Sequence, residues 1–240
     1  MTCQAKHAGA ERPHQPFPQT TELGQKMNMP LSRLYDCAAG QALVYSYVIA
    51  SMRKRNGEFV QTGCGPNFQG GLITLCTCKH RMRTFMDPDQ WHGLWIAGFT
   101  SLATGGEANF LIYLMRVAHA FESQRDLWFS TAIPPAVKQV KAAHLNRFGD
   151  LYQPHHEGIA PWKPDGYVAP CRNHCHAQGW AKDIVYEGVG ARHAALLVSD
   201  PHQSFLWNRP MIYYAGRLHR GQKKSTLDDL LARLKTGEPS

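Results

Sequence analysis

The chain is short of acid. It carries 18 aspartates and glutamates against 26 lysines and arginines, a formal charge of +8 with its 13 histidines neutral. That balance favours anionic partners, nucleic acid above all, because phosphate contacts supply affinity without sequence readout. The plainer reading is a basic soluble protein with no such partner. Long apolar runs are missing too. None approaches the roughly 18 residues that a membrane helix needs, and no stretch has a signal peptide's apolar core. The expectation is a protein with no membrane partner, in a reducing cytoplasm. The seven cysteines, at 3, 37, 64, 76, 78, 171 and 175, are odd in number, which argues against a disulfide framework. No GxxxxGK[ST], HExxH or GxSxG occurs, and no G-x-G-x-x-G stands between a strand and a helix. Nucleotide-hydrolysing, zinc-protease, hydrolase and Rossmann readings all lose support. No internal repeat is visible.

What is present is concentrated between Gly63 and Arg83, GCGPNFQGGLITLCTCKHRMR. Glycines at 63, 65, 70 and 71, with Pro66 and Asn67, punctuate the backbone. Such a turn lets main-chain amides approach a ligand. Leu72–Leu75 reads as a buried strand or a first helical turn, and a helical turn follows near Lys79–Phe85. Cys76, Cys78, Lys79, His80, Arg81 and Arg83 then crowd thiols and cations together, which marks the stretch as one wall of a site.

With hydrophobic residues at 43% and charged ones at 18%, a sizeable core is expected. Residues 1–28, proline-bearing and poor in apolar side chains, read as a loose arm ahead of one domain over 29–240. Strands are expected at Leu43–Ala50, Trp91–Ser101, Phe110–Ala118, Ala194–Ser199 and Met211–Ala215. Met52–Asn56 reads as a charged bend, either solvated or a phosphate patch. Amphipathic helices are expected at Ala136–Phe148 and Thr226–Leu234. Residues 151–180, rich in proline and glycine, read as a long loop insertion. Short strands, few helices and many turns suggest an α+β fold, a compact mixed β-barrel with peripheral helices. An α+β sandwich is the alternative.

Several constellations carry chemistry. Cys76, Cys78 and His80 would share one side of a strand. Cys76 is a candidate nucleophile if Lys79, His80 and Arg81 lower its pKa, and a small buried thiol otherwise. Cys171, His174, Cys175 and His176 form a denser set able to hold zinc, although their spacing fits no firm template. The alternative is a histidine-rich loop with no metal, and no cofactor is predicted otherwise. Arg116, the one charge in its strand, needs either a carboxylate or a bound anion. Trp95 is the first choice among the aromatics for stacking on a base. Asp150 and Asp200 can accept hydrogen bonds from a base edge or an arginine, and capping explains them equally well.

The order of these pieces is distinctive. Tyr45–Val48 is followed by Thr62–Phe68 (TGCGPNF), Leu75–Lys79 (LCTCK) and Arg81. Then come Trp95–Ser101 (WIAGFTS), Leu111–Val117, Asp150-Leu151-Tyr152 and Leu197–Asp200 (LVSD). Over roughly residues 43–220 this resembles the nucleotide-modification-associated domains, small proteins of phages, mobile elements and bacteria. These are grouped near the PUA-like fold with ASCH, EVE and YTH domains. The resemblance implies a PUA-like barrel whose pocket reads or processes a nucleotide or modified base. Carried over by position, the pocket comprises Asn67, Phe68, Cys76, Lys79, Arg81, Trp95, Thr100, Ser101 and Arg116, with Asp150 and Asp200 behind them. Binding would use cations for phosphate (Lys79, Arg81, Arg116), Trp95 for stacking and Asn67, Thr100 and Ser101 for the base edge. Catalysis, the alternative, would run through Lys79 or Cys76 with a carboxylate such as Asp150 carrying protons. A zinc-held interaction module is a third reading. Protein partners are not indicated.

Overall fold

The computed structural model describes residue 17 and residues 26–143, 150–169 and 179–239. Its centre is a mixed sheet. In chain order the elements are β1 (Lys26–Met27), α1 (Leu31–Cys37), β2 (Leu43–Ile49), β3 (Met52–Arg55), β4 (Glu58–Gln61), β5 (Thr74–Leu75) and α2 (His80–Arg83). There follow β6 (Trp95–Thr100), α3 (Leu102–Gly105), β7 (Asn109–Phe121), α4 (Gln124–Phe129), α5 (Pro135–Ala142) and α6 (Ala181–Val185). Last come β8 (Leu196–Leu206), β9 (Ile212–Tyr214), β10 (Gln222–Thr226), α7 (Leu227–Ala232) and β11 (Leu234–Thr236).

Nine strands make the main sheet, in the order β1-β8-β7-β6-β2-β10, with β5 on β8, β9 on β7 and β11 on β9. β3 and β4 form a separate hairpin where a charged bend is expected from sequence. The pairs β2–β6 and β1–β8 are parallel and the others antiparallel.

The expected barrel does not form. Among the described residues nothing pairs β10 back to the far end of the sheet, and the sheet stays open. The reason lies in the central strands, which bury both faces. On β2, Tyr45, Tyr47 and Ile49 enter one core while Val44 and Val48 enter another. On β6, Ile96 joins the first core, and Trp95, Ala97 and Phe99 join the second. A barrel has one apolar interior; this sheet is a layer between two.

The second core is covered by α1 and α7, through Leu34 and through Leu227, Leu230 and Leu231. Thr226 caps α7 by accepting the Asp229 amide at 3.1 Å. The chain then leaves the helix at once for β11, so the expected helix is shorter at its C-terminal end. The first core lies under the Gly63–Arg83 stretch. Gly98 allows this packing. A Cβ there would fall inside the Tyr113 ring edge and 2.7 Å from Ile49 Cδ1. Beside it the β6–β7 register jumps, with Gly98 opposite Tyr113 and Phe99 opposite Leu111. The extra residue turns both Ile112 and Tyr113 into the first core.

Part of the expected N-terminal arm belongs to the fold. Lys26 and Met27 pair with Phe205 and Leu206, and the Trp207 indole donates to the Met29 carbonyl at 2.8 Å. Tyr152, Ile159 and Tyr167 of the expected loop insertion make a small core with Ile184 of α6. Among the described residues no helix is long and apolar enough to cross a membrane.

Candidate functional site

The glycine loop closes on itself. Asn67 and Thr74 exchange main-chain hydrogen bonds at 2.9 and 3.0 Å. Gly70 and Gly71 take the left-handed conformation, with φ of 72° and 74°, where a side chain is strained. The loop does not present an open ring of amides to a ligand. Helix α5 packs on it, with Val137 against Gly70. Four residues on from Val137, buried Lys141 sends its ammonium inside. Lys141 Nζ donates to the carbonyls of Asn67 at 2.8 Å and Leu72 at 2.6 Å.

The cysteine-bearing end is held in the same manner. The Arg83 guanidinium is fully buried. It donates to the carbonyls of Cys76 (2.8 Å), Cys78 (2.9 Å), Ala194 (3.0 Å) and Ala195 (2.5 Å). Asp150 accepts from the Thr74 hydroxyl and, at 2.7 Å, from the Cys76 amide. Burial pushes the Asp150 carboxyl up, against the pull of Thr74, the Cys76 amide, Lys141 and Arg83. Burial pushes Lys141 down, against the pull of Asp150 and Cys76. Both groups are thus moved towards neutrality by the loss of water. Burial, then the Asp150 charge, pushes the Cys76 thiol well above its ordinary value. A cysteine nucleophile needs the opposite shift. Asp150, Lys141, Arg83 and Cys76 form an internal frame that gives this stretch its shape.

Beside that frame lie a buried tyrosine pair and, farther out, the cations. Tyr47 and Tyr113 share a hydrogen bond at 2.8 Å, and Cys78 Sγ lies 3.7 Å from the Tyr47 hydroxyl. Burial raises Cys78 to about 11. Lys79, left-handed at φ 59°, precedes α2. Its ammonium sits 5.1 Å from the Tyr47 ring centroid and donates to the Arg220 carbonyl at 2.5 Å. Desolvation lowers its pKa. Arg220 leads into β10, whose Lys224 sits 5.9 Å from the Tyr45 ring. Lys223 sits 5.2 Å from the Tyr214 ring and donates to its hydroxyl at 2.6 Å. On the other flank, His80 Nε2 lies 3.0 Å from Asp183 Oδ1. Asp183 Oδ2 accepts the Tyr152 hydroxyl at 2.9 Å, and the His80 ring stacks on Tyr186 with centroids 4.7 Å apart. This chain of contacts fastens α2 to the loop insertion.

Of the residues singled out in the sequence, Asn67, Phe68, Cys76, Lys79 and Asp150 gather around this stretch. Arg81 is exposed on α2. Trp95 is elsewhere: it is buried in the second core, parallel to Phe205 with centroids 6.4 Å apart. Arg116 stands opposite Trp95 in the β6–β7 register, on that same face. Among the described residues it meets no carboxylate. Its partners are Gln203 Oε1 at 3.0 Å and the Gly93 carbonyl at 3.4 Å. The expected recess among Lys79, Arg116 and Trp95 is therefore absent, because the sheet runs between them. Thr100 is buried, its hydroxyl accepting the Phe110 amide at 2.9 Å. Ser101 pairs with Thr104 at 3.2 Å at the start of α3. Asp200 caps its own turn, accepting the His202 amide at 2.8 Å. Two surface hollows, of about 300 and 700 Å³, lie elsewhere, at β9 and beside α1.

The zinc set Cys171, His174, Cys175 and His176 lies outside the described residues. Among the described residues no group of three or more His, Cys, Asp or Glu is placed to hold a metal. The sequence reading placed Arg83 in the stretch but missed Lys141, Asp183 and the Tyr47–Tyr113 pair. A signal for Lys141 existed, since it shares a helix stripe with Val137. Comparison with family models, with curated proteins and with solved structures gives no match to this chain.

Proposed function

We propose that the protein binds nucleic acid, and accommodates a modified base or a nucleotide, along the sheet edge where β10 meets the start of α2. One observation carries the reading. Lys79, Lys224 and Lys223 are each held over a tyrosine ring at this edge, on Tyr47, Tyr45 and Tyr214. Lys224 and Lys79 lie on the first-core face, where Tyr45 and Tyr47 sit two residues apart on β2. Lys223, through Tyr214, lies on the other. The lysines thus straddle an exposed strand, an arrangement suited to a phosphate backbone lying across it. Lysines on an edge strand also deter edge-to-edge pairing. Lys79 has no part in that role, because it comes from a different element. The formal charge of +8 favours the same partner. The resemblance of the Gly63–Arg83 and Trp95–Val117 stretches to nucleotide-modification-associated domains supports a role in DNA modification or phage–host conflict.

The test is an electrophoretic shift with DNA carrying and lacking a base modification, at two salt concentrations. With about three phosphate contacts, affinity should fall about 20- to 40-fold between about 50 and 200 mM salt. The triple variant Lys79→Ala, Lys223→Ala, Lys224→Ala should lose both the affinity and most of that dependence. Equally negligible binding to both DNAs, insensitive to salt, would sink the reading.

Catalysis is the second reading, and Lys79 is the observation in its favour. Desolvation lowers its pKa, the direction an amine nucleophile or base requires. Here Lys79→Ala should abolish product formation from a nucleotide pool while Lys223→Ala and Lys224→Ala keep it. Absence of turnover by the intact protein on any nucleotide removes it.

A further inference from the structure

Among the described strands, β3 and β4 alone stand outside the main sheet. Their ribbon is fixed at its base. Met52, Phe59 and Gln61 are buried, the first two in the first core. The Phe59 amide donates to the Asn208 carbonyl at 2.7 Å, and the Thr104 hydroxyl to the Met52 carbonyl at 2.8 Å. The tip is exposed. Asn56 and Gly57, with φ of 50° and 82°, turn the chain between Arg55 and Glu58. Positive φ at both turn residues, with asparagine before glycine, suits the twist of a two-stranded ribbon.

The ribbon is cationic on both faces. Arg53 and Arg55 alternate with Lys54 along β3, so they point to opposite sides. Arg53 and Lys54 are exposed. Arg53 Nη1 donates to the carbonyls of Met52 at 2.7 Å and Ala50 at 3.1 Å, which sets the guanidinium in place. Glu58, the ribbon's one carboxylate, lies 3.4 Å from Arg209 Nε. The ribbon leaves β2 at the end where β10 begins, since Gln222 stands opposite Tyr47 and β2 ends at Ile49. Exposed Arg217, His219 and Arg220 lead into β10.

The major groove of B-form DNA, about 12 Å wide between two phosphate walls, admits a two-stranded ribbon. Four residues of strand reach about 13 Å, enough for a floor about 8.5 Å deep. We propose that the β3–β4 ribbon enters the major groove of duplex DNA, with Arg53 and Lys54 each against one phosphate strand and Asn56 at the base edges. This rests on the nucleic-acid reading of the β10 edge and adds the form of the partner. The ribbon adds about two phosphate contacts to those of the edge, so affinity for duplex DNA falls with salt more steeply than the edge alone gives.

The experiment is fluorescence anisotropy over a salt series, with a labelled DNA duplex and an RNA duplex of the same sequence, each of about 16 base pairs. The RNA carries the same charge, but its major groove is too deep and narrow to enter. Arg53→Gln combined with Lys54→Gln should flatten the salt slope for DNA by about 2 and weaken binding about 10-fold, while RNA binding changes less than about 2-fold. Asn56→Gly keeps the left-handed turn and removes the amide. It should weaken DNA binding about 3- to 10-fold with the slope unchanged, because an amide neutralises no phosphate. Equal losses on DNA and RNA, or no loss on DNA from either variant, overturn the groove assignment. The ribbon falls and the edge stands if the Lys79, Lys223 and Lys224 triple variant alone is impaired. Absence of wild-type binding to either duplex overturns both.

Discussion

Lys141 and Asn67 are 74 positions apart in sequence and joined in both directions. The Lys141 ammonium donates to the Asn67 carbonyl at 2.8 Å, and the Asn67 amide donates to the Lys141 carbonyl at 3.3 Å. A helix thereby closes the glycine loop from beneath and faces its carbonyls inward. The loop is shaped by an internal cation, without needing one from a ligand.

The stability of the protein should depend on that ammonium. Lys141→Met keeps the aliphatic stem and removes the donor, leaving the Leu72 carbonyl without its ammonium and the Asn67 carbonyl with the Thr74 amide alone. Unpaired buried polar groups cost about 1–3 kcal/mol each, offset in part by removal of a buried charge. A net loss of about 2 kcal/mol is expected in urea unfolding. Unchanged or increased stability would show that the carbonyls find other donors.

Asp150 should shape the acid side of the stability profile. Its folded pKa lies above the ordinary 3.8, because burial outweighs the hydrogen bonds and cations that favour the charged form. The native state therefore holds the proton more tightly than the unfolded chain. The contribution is most favourable below the unfolded value and is lost as pH rises through the folded one. Lys141, lowered from 10.5, acts in the opposite sense at alkaline pH, where its deficit disappears as pH rises past the unfolded value. Asp150→Asn should flatten the change in unfolding free energy between about pH 4 and pH 7. A variant with the wild-type slope would remove Asp150 from the account.

The thiols should be quiet. With Cys78 raised to about 11 and Cys76 raised by burial, neither is appreciably thiolate at neutral pH. Alkylation by iodoacetamide at about pH 7.5, followed by peptide mass spectrometry, should label both far more slowly in folded protein than in urea. Rapid modification of Cys76 in the native protein would restore the nucleophile reading.

Gly98 should tolerate nothing larger. An added methyl overlaps the Tyr113 ring and approaches Ile49. Gly98→Ala is expected to cost about 2–3 kcal/mol in thermal or urea unfolding. Trp95→Phe should also destabilise, by about 1–2 kcal/mol, and yet leave DNA affinity unaltered, since its ring is packed in the second core. A selective loss of DNA binding in Trp95→Phe would return that residue to the site.

Much of the fold is readable from local pattern. Leu43–Ile49, Trp95–Thr100 and the body of β7 stand out as β-branched and aromatic runs, and the leucines of α7 mark its buried stripe. The apolar character of Leu43–Ile49, broken by Ser46 alone, also carries a hint against a barrel, because a strand with one buried face alternates. Strand β10, QKKST, has no such pattern. Its extended state is imposed by pairing with β2, a contact nearly 180 residues away that no window of sequence displays. The site was legible in its stretch but not in its partners. The burial of Lys141 and Arg83 has no local signal, because it is decided by the carbonyls that converge on each charge, and several of those come from distant segments.

The backbone at Lys79 carries a last consequence. Its φ of 59° and ψ of 38° are a shape in which glycine rests easily and a residue with a Cβ does not, a difference of about 1 kcal/mol. Lys79→Gly should therefore yield a protein that melts no earlier than the parent, even after losing its contact with Tyr47, while surrendering whatever the amine does. A Lys79→Gly variant that melts no earlier yet loses DNA affinity would separate the work of the ammonium from the cost of the backbone beneath it.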